Sequence, residues 1–137
     1  MIQSMGSMDF IPPVQSPEDI RGTRWQDWEC LLQEIILHSS YETVVLDVGD
    51  GIEDVFQILE LCTRVYMPVR DDRISKCKLE QFEKLLRLRD YSQLLAGIEK
   101  VVLPILSQNT DNVFRVEELV WSELGDFVRE LLEKEKI

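Results

Sequence analysis

No lysine precedes residue 76 in this 137-residue chain, so arginine is the only permanent cation of its first 75 positions. The whole chain sets 15 Lys plus Arg against 26 Asp plus Glu, a formal charge of −11. A surface of that sign repels nucleic-acid phosphates and anionic lipid headgroups, which excludes direct nucleic-acid binding. Cysteine is sparse and odd in number (Cys30, Cys62, Cys77), and His38 is the one histidine. There is no C-x-x-C pair, so zinc ligation is not expected, and the thiols read as reduced and buried. No serine or cysteine stands in a nucleophile motif with His38, which argues against a His-based triad.

Long apolar runs are absent as well. A bilayer crossing needs roughly 18 consecutive apolar residues, and none occurs. Residues 1–15 lack the basic stretch and apolar run of a secretion signal, so the expectation is a cytoplasmic chain without a transmembrane segment. The six glycines (Gly6, Gly22, Gly49, Gly51, Gly97, Gly125) are never grouped ahead of a lysine and a helix. The sequence therefore holds no G-x-x-x-x-G-K-[ST] loop, the arrangement whose backbone amides cradle a triphosphate.

What the chain does have is the composition of a folded domain, 45% hydrophobic and 30% charged, at a length that buries a core without disulfides or metals. One domain over 1–137 is expected, with 1–9 unordered. Phe10-Ile11-Pro12-Pro13-Val14 reads as a short extended piece, which its tandem prolines restrict to an edge or a loop. Ser16 ahead of Pro17 reads as a helix start, and Thr23 with Gln26 as a second one. Trp25, Trp28, Leu31, Leu32, Ile35 and Ile36 then mark a helical face to about His38. Residues 43–48 (Thr-Val-Val-Leu-Asp-Val) read as a strand buried on both faces, followed by Ile52, Val55, Phe56 and Leu59 at helical spacing. Further strands are expected over 64–69 and 100–105. A helix capped by Ser75 carries Leu79, Phe82, Leu85 and Leu86, a shorter one spans about 91–98, and a last one runs over 117–133 with Val120, Leu124, Phe127, Val128 and Leu131 on one stripe. Strands alternating with helices predict an α/β fold, three-layered, with a mostly parallel sheet flanked by helices.

In such folds ligands sit beyond the C-terminal ends of the strands, which singles out Val44-Val45-Leu46-Asp47-Val48-Gly49-Asp50-Gly51. Two readings compete. In the structural one, Asp50 caps a helix starting at Ile52 while Gly49 and Gly51 relax the turn. In the functional one, Asp47 is a Walker B carboxylate that holds Mg²⁺, and the glycines let backbone approach a γ-phosphate. Arg70, Asp71, Asp72 and Arg73, after a strand end, read mainly as a solvated loop that could also touch a nucleotide or a partner. The tryptophans Trp25, Trp28 and Trp121 lie at or beside apolar stripes, where core filling is the commoner role.

The run VVLDVGDG, then FQILELCTRVYMPV, then RDDRISKCKLEQFEKLL, resembles the Walker B strand, its helix and the next strand of MinD/ParA-type ATPases. It is most similar to atypical, TadZ-like members, and LVWSELGDFVRELL is similar to their terminal helix. The resemblance covers the chain from about Phe10 onward and implies the C-terminal half of a P-loop domain without its phosphate-binding half. ATP and Mg²⁺ are cofactors by resemblance, with none expected for this chain alone. Asp47, Gly49, Asp50 and Gly51 would be vestigial switch residues, Asp47 holding Mg²⁺ only with a nucleotide. The resemblance implies a module that positions division or pilus machinery through a protein partner, or through self-association at an exposed sheet edge. The alternatives are an ATPase half completed by a separate Walker A half, and a receiver-like or flavodoxin-like α/β domain.

Overall fold

The structure is a computed structural model, and it describes residues 2–6, 8–49, 51–104 and 116–134. The described residues mix helix and strand and include a small parallel sheet. Within the single domain expected from sequence, two compact units are distinguished, Met1–Thr63 and Arg64–Ile137.

The first unit opens on an antiparallel hairpin of β1 (Gln3–Met5) and β2 (Met8–Phe10). β1 and the start of β2 fall within the stretch 1–9, where the sequence reading places no element. Gly6 makes the reversal possible, since its φ of 63° is a left-handed conformation that costs glycine little. After Ser16 comes α1 (Pro17–Arg21), as the Ser-Pro signal predicts. The next start shifts by one residue. Arg24, not Thr23, is the N-cap of α2 (Trp25–His38), and its N–H donates to the Asp27 carboxylate at 3.0 Å. Thr23 turns back instead, its hydroxyl donating to the Asp19 carbonyl of α1 at 2.8 Å.

Along α2 the covered stripe is Trp25, Trp28, Leu32 and Ile35, with Leu32 buried. Leu31 and Ile36, counted on the same face from the sequence, are exposed. A stripe of period 3.6 holds positions 25, 28, 32 and 35, and each neighbour is rotated about 100° off it. Helix α3 (Val55–Leu61) supplies the buried Phe56 and Ile58. It starts three residues later than expected, with Asp54 at the N-cap position. The Asp54 carboxylate accepts from the Trp25 N–H at 3.0 Å, so one side chain serves the open end of α2 and ties the starts of two helices together.

The second unit is built on β3 (Val65–Val69) and β4 (Ile98–Val102), paired in parallel from Val65 opposite Ile98 to Val69 opposite Val102. Parallel neighbours need a long crossover, and it is made of α4 (Arg73–Leu88) and α5 (Ser92–Gly97). The β4 strand begins two residues before its predicted start at Lys100, and Ile105 lies outside the described residues. Leu86 of α4 is fully buried, with Ile98 and Val101 of β4 nearly so. Glu83 fastens α4 to β4 by pairing with Lys100, and it holds Arg87 at 3.1 Å on its own helix. These partners, Lys100 foremost, keep the Glu83 carboxyl below the ordinary carboxylate value.

Asp72, not Ser75, caps α4. Its carboxylate accepts the Ser75 N–H at 2.9 Å and the Ser75 hydroxyl at 2.8 Å, and Arg70 lies 3.4 Å away. The Ser75 backbone bond, then its hydroxyl, then Arg70 lower the Asp72 pKa from its ordinary 3.8. A lowered carboxyl contributes stability that is complete above the unfolded value and lost as pH falls through the folded one. Asp72→Ala is therefore expected to lower the thermal midpoint at neutral pH, the usual result of losing an N-cap. The gap between the two proteins should close as the pH drops below 3.8. Melting both by circular dichroism from about pH 6 to about pH 2 checks this, and a gap independent of pH would contradict it.

The terminal stripe predicted as one helix is two, α6 (Val116–Val120) and α7 (Glu123–Glu133). Ser122 makes the break. Its hydroxyl donates to the Leu119 carbonyl at 2.7 Å and accepts the Gly125 N–H at 3.4 Å, so it closes one helix and caps the next.

Candidate functional site

The segment singled out by sequence lies in the first unit. Residues 43–49 form neither helix nor strand, and no backbone hydrogen bond joins them to another described segment. The strand expected over 43–48 is therefore not formed. Val45 is 86% exposed, and Val44, Leu46, Asp47 and Gly49 are exposed too. The physical reason is that β propensity describes fit to a pleated, half-buried surface, and no described strand offers one here. The apolar core of the run, Val44 to Leu46, is continuous, a pattern that suits a middle strand and needs a neighbour on each side to pair.

The candidate residues divide accordingly. Asp47 and Gly49 sit on the exposed segment, and Gly51 is in the turn that follows. Asp50 lies outside the described residues, and with it the proposed cap of a helix at Ile52; the helix that forms starts at Val55. A Cβ added at Gly49 or Gly51 would meet nothing within 4 Å, and neither has a left-handed φ. In this conformation neither position requires glycine, so the turn-relaxing role assigned to them is not seen. Asp54 was missed as a positioning residue. The signal available for it was an acidic residue just before the Val55, Phe56, Leu59 spacing.

Upstream, Tyr41 anchors the segment to the hairpin. Its hydroxyl donates to the Asp9 carboxylate, and Ser4 also bonds Asp9. The Ser4 bond first, and then the Tyr41 bond, hold Asp9 below the ordinary carboxylate value, while Asp9 raises the Tyr41 phenol. Residues 43–49 are thus pinned at one end by a side-chain bond and followed at the other by the start of α3.

Among the described residues no three of His, Cys, Asp and Glu gather closely enough to hold an ion. Asp47 belongs to no such group among the described residues, and Mg²⁺ keeps waters and binds through carboxylates together with substrate phosphates. The remaining candidates are accounted for locally. His38 ends α2 with Nε2 3.8 Å from Glu34, Asp71 pairs with Lys76, and Asp72 caps α4. Cys30 and Cys77 are exposed, not buried as expected, because both fall on the outer sides of their helices. Cys62 is half-buried, and burial pushes its thiol up.

Comparison of the chain with protein-family models, with curated proteins and with solved structures finds no match in any of the three. No helix among the described residues is long and apolar enough to cross a membrane.

Proposed function

We propose that this chain is a MinD/ParA-like α/β module that acts through protein contacts, in positioning division or pilus machinery, and not by hydrolysing a nucleotide. The proposed architecture is part of a three-layer P-loop fold. The ordered succession of sequence segments supports the reading, as does the parallel β3–β4 pair joined through α4 and α5. The observation that carries the protein-contact part is the exposed apolar segment 43–49, whose backbone pairs with no other segment among the described residues. Apolar surface and free strand-forming backbone are what a second polypeptide covers. The same residues offer ATP nothing, since a triphosphate needs an amide cradle and an ammonium group, and these 137 residues contain no loop that supplies both.

A second reading is favoured by the exposure of Asp47, whose carboxylate is open to a site completed by a polypeptide carrying a phosphate loop. Titration of the purified chain with ATP and Mg²⁺ tests both. For the chain alone no saturation is expected below about 1 mM, an affinity weaker than roughly −4 kcal/mol. Asp47→Ala should leave the titration unchanged. Saturable micromolar binding that Asp47→Ala abolishes would overturn the proposal.

A further inference from the structure

The occupant of segment 43–49 is selected by charge. Unit Met1–Thr63 carries twelve Asp and Glu against two arginines and no lysine, a formal charge of −10. Unit Arg64–Ile137, with fourteen acids and thirteen bases, stands at −1. The imbalance is sharpest around the segment. Glu42, Asp47, Asp50, Glu53 and Asp54 fall within thirteen residues that contain no cation. The exposed Val44, Val45 and Leu46 thus sit in a strongly acidic stretch of sequence, on backbone that no other described segment pairs.

We infer that residues 43–49 are the docking strand for a cationic, β-branched segment of another protein, added by backbone pairing. The inference rests on the protein-contact reading above and deepens it by naming the partner's chemistry. Three rival occupants are disfavoured by the same charge. A second copy would bring another −10 against the first, while nucleic acid and anionic membrane are anions themselves. A lysine- or arginine-bearing strand satisfies all the observations at once. Its backbone pairs the amides and carbonyls of 43–49, its apolar side chains cover Val44 to Leu46, and its cations face the acids on either side.

The test uses the full chain and two labelled decapeptides, one alternating valine with lysine and one alternating valine with glutamate. Fluorescence anisotropy reads affinity, and amide hydrogen exchange reads the place of binding. The lysine peptide is expected to bind at least about tenfold more tightly than the glutamate peptide, a difference of roughly 1.4 kcal/mol. Its binding should weaken with salt and slow exchange in residues 43–49. Val45→Pro, which removes an amide from an exposed segment outside any helix or strand, should abolish that binding without altering the far-ultraviolet spectrum. Equal binding of the two peptides, protection confined to other residues, or a dimeric native mass for the chain alone would each overturn the inference. Micromolar ATP binding without peptide binding would overturn the protein-contact reading as well, which separates the two failures.

Discussion

Leu86→Ala is expected to destabilise the chain by about 3 kcal/mol, while Leu88→Ala costs no more than about 0.5 kcal/mol. Leu86 is 0% exposed and Leu88 is 72% exposed, two residues along the same helix. Truncating the first removes apolar contact and leaves a cavity that packed neighbours fill only in part, and the lost transfer energy and the cavity cost add. Truncating the second changes a side chain already in water. Domains of this size are stable by only about 5–15 kcal/mol, so the Leu86 variant forfeits a large share of the total. Chemical denaturation of the three proteins, followed by helix signal, measures the shift in midpoint at constant slope. Equal midpoints for the two variants would show that α4 does not pack through Leu86.

The second large effect is at Gly125, where the sign of the change is the test. In an ordinary helix, replacing glycine with alanine stabilises by about 1 kcal/mol because alanine has less conformational entropy to lose. Here a Cβ would run into the Val120 carbonyl oxygen and come within 2.6 Å of the Leu119 carbonyl oxygen. Both are backbone atoms at the end of α6 and cannot swing aside as a flexible side chain would. Relieving the clash means moving α7 away from α6, which also strains the Arg129 guanidinium. That group donates to the Val120 carbonyl at 2.6 Å and lies 5.8 Å from the centre of the Trp121 ring. Gly125→Ala is therefore expected to cost about 2 kcal/mol, in the range of overpacked sites, despite the gain in helix propensity. Thermal melting of the variant decides it, because a raised midpoint would mean that the two helices do not approach so closely.

The helices were legible because their signals are local. The spacing of Leu79, Phe82 and Leu86 located α4, Ser16 with Pro17 located α1, and the apolar run at 65–69 located β3. Starts and stops were less legible, since several side chains compete for each open helix end. Asp72 won over Ser75 and Arg24 over Thr23, and Ser122 broke a stripe whose apolar spacing ran straight through it. Hydroxyls and carboxylates bond whichever amides the chain brings near, and the spacing of apolar residues carries no record of that choice.

The candidate site shows the same division. Sequence by itself determined that these 137 residues carry no phosphate-binding loop, a strongly acidic first half, and a short apolar run within 43–48 of the kind a middle strand has. Tertiary structure alone decided that the run stays exposed and pairs with no other described strand, that Gly49 and Gly51 occupy open space, and that Asp54 reaches across to Trp25. Charge and composition are sums over residues and survive any fold. Strand pairing and close approach depend on which neighbours are present, because a backbone amide is satisfied only by a group delivered from elsewhere in the chain or from another molecule.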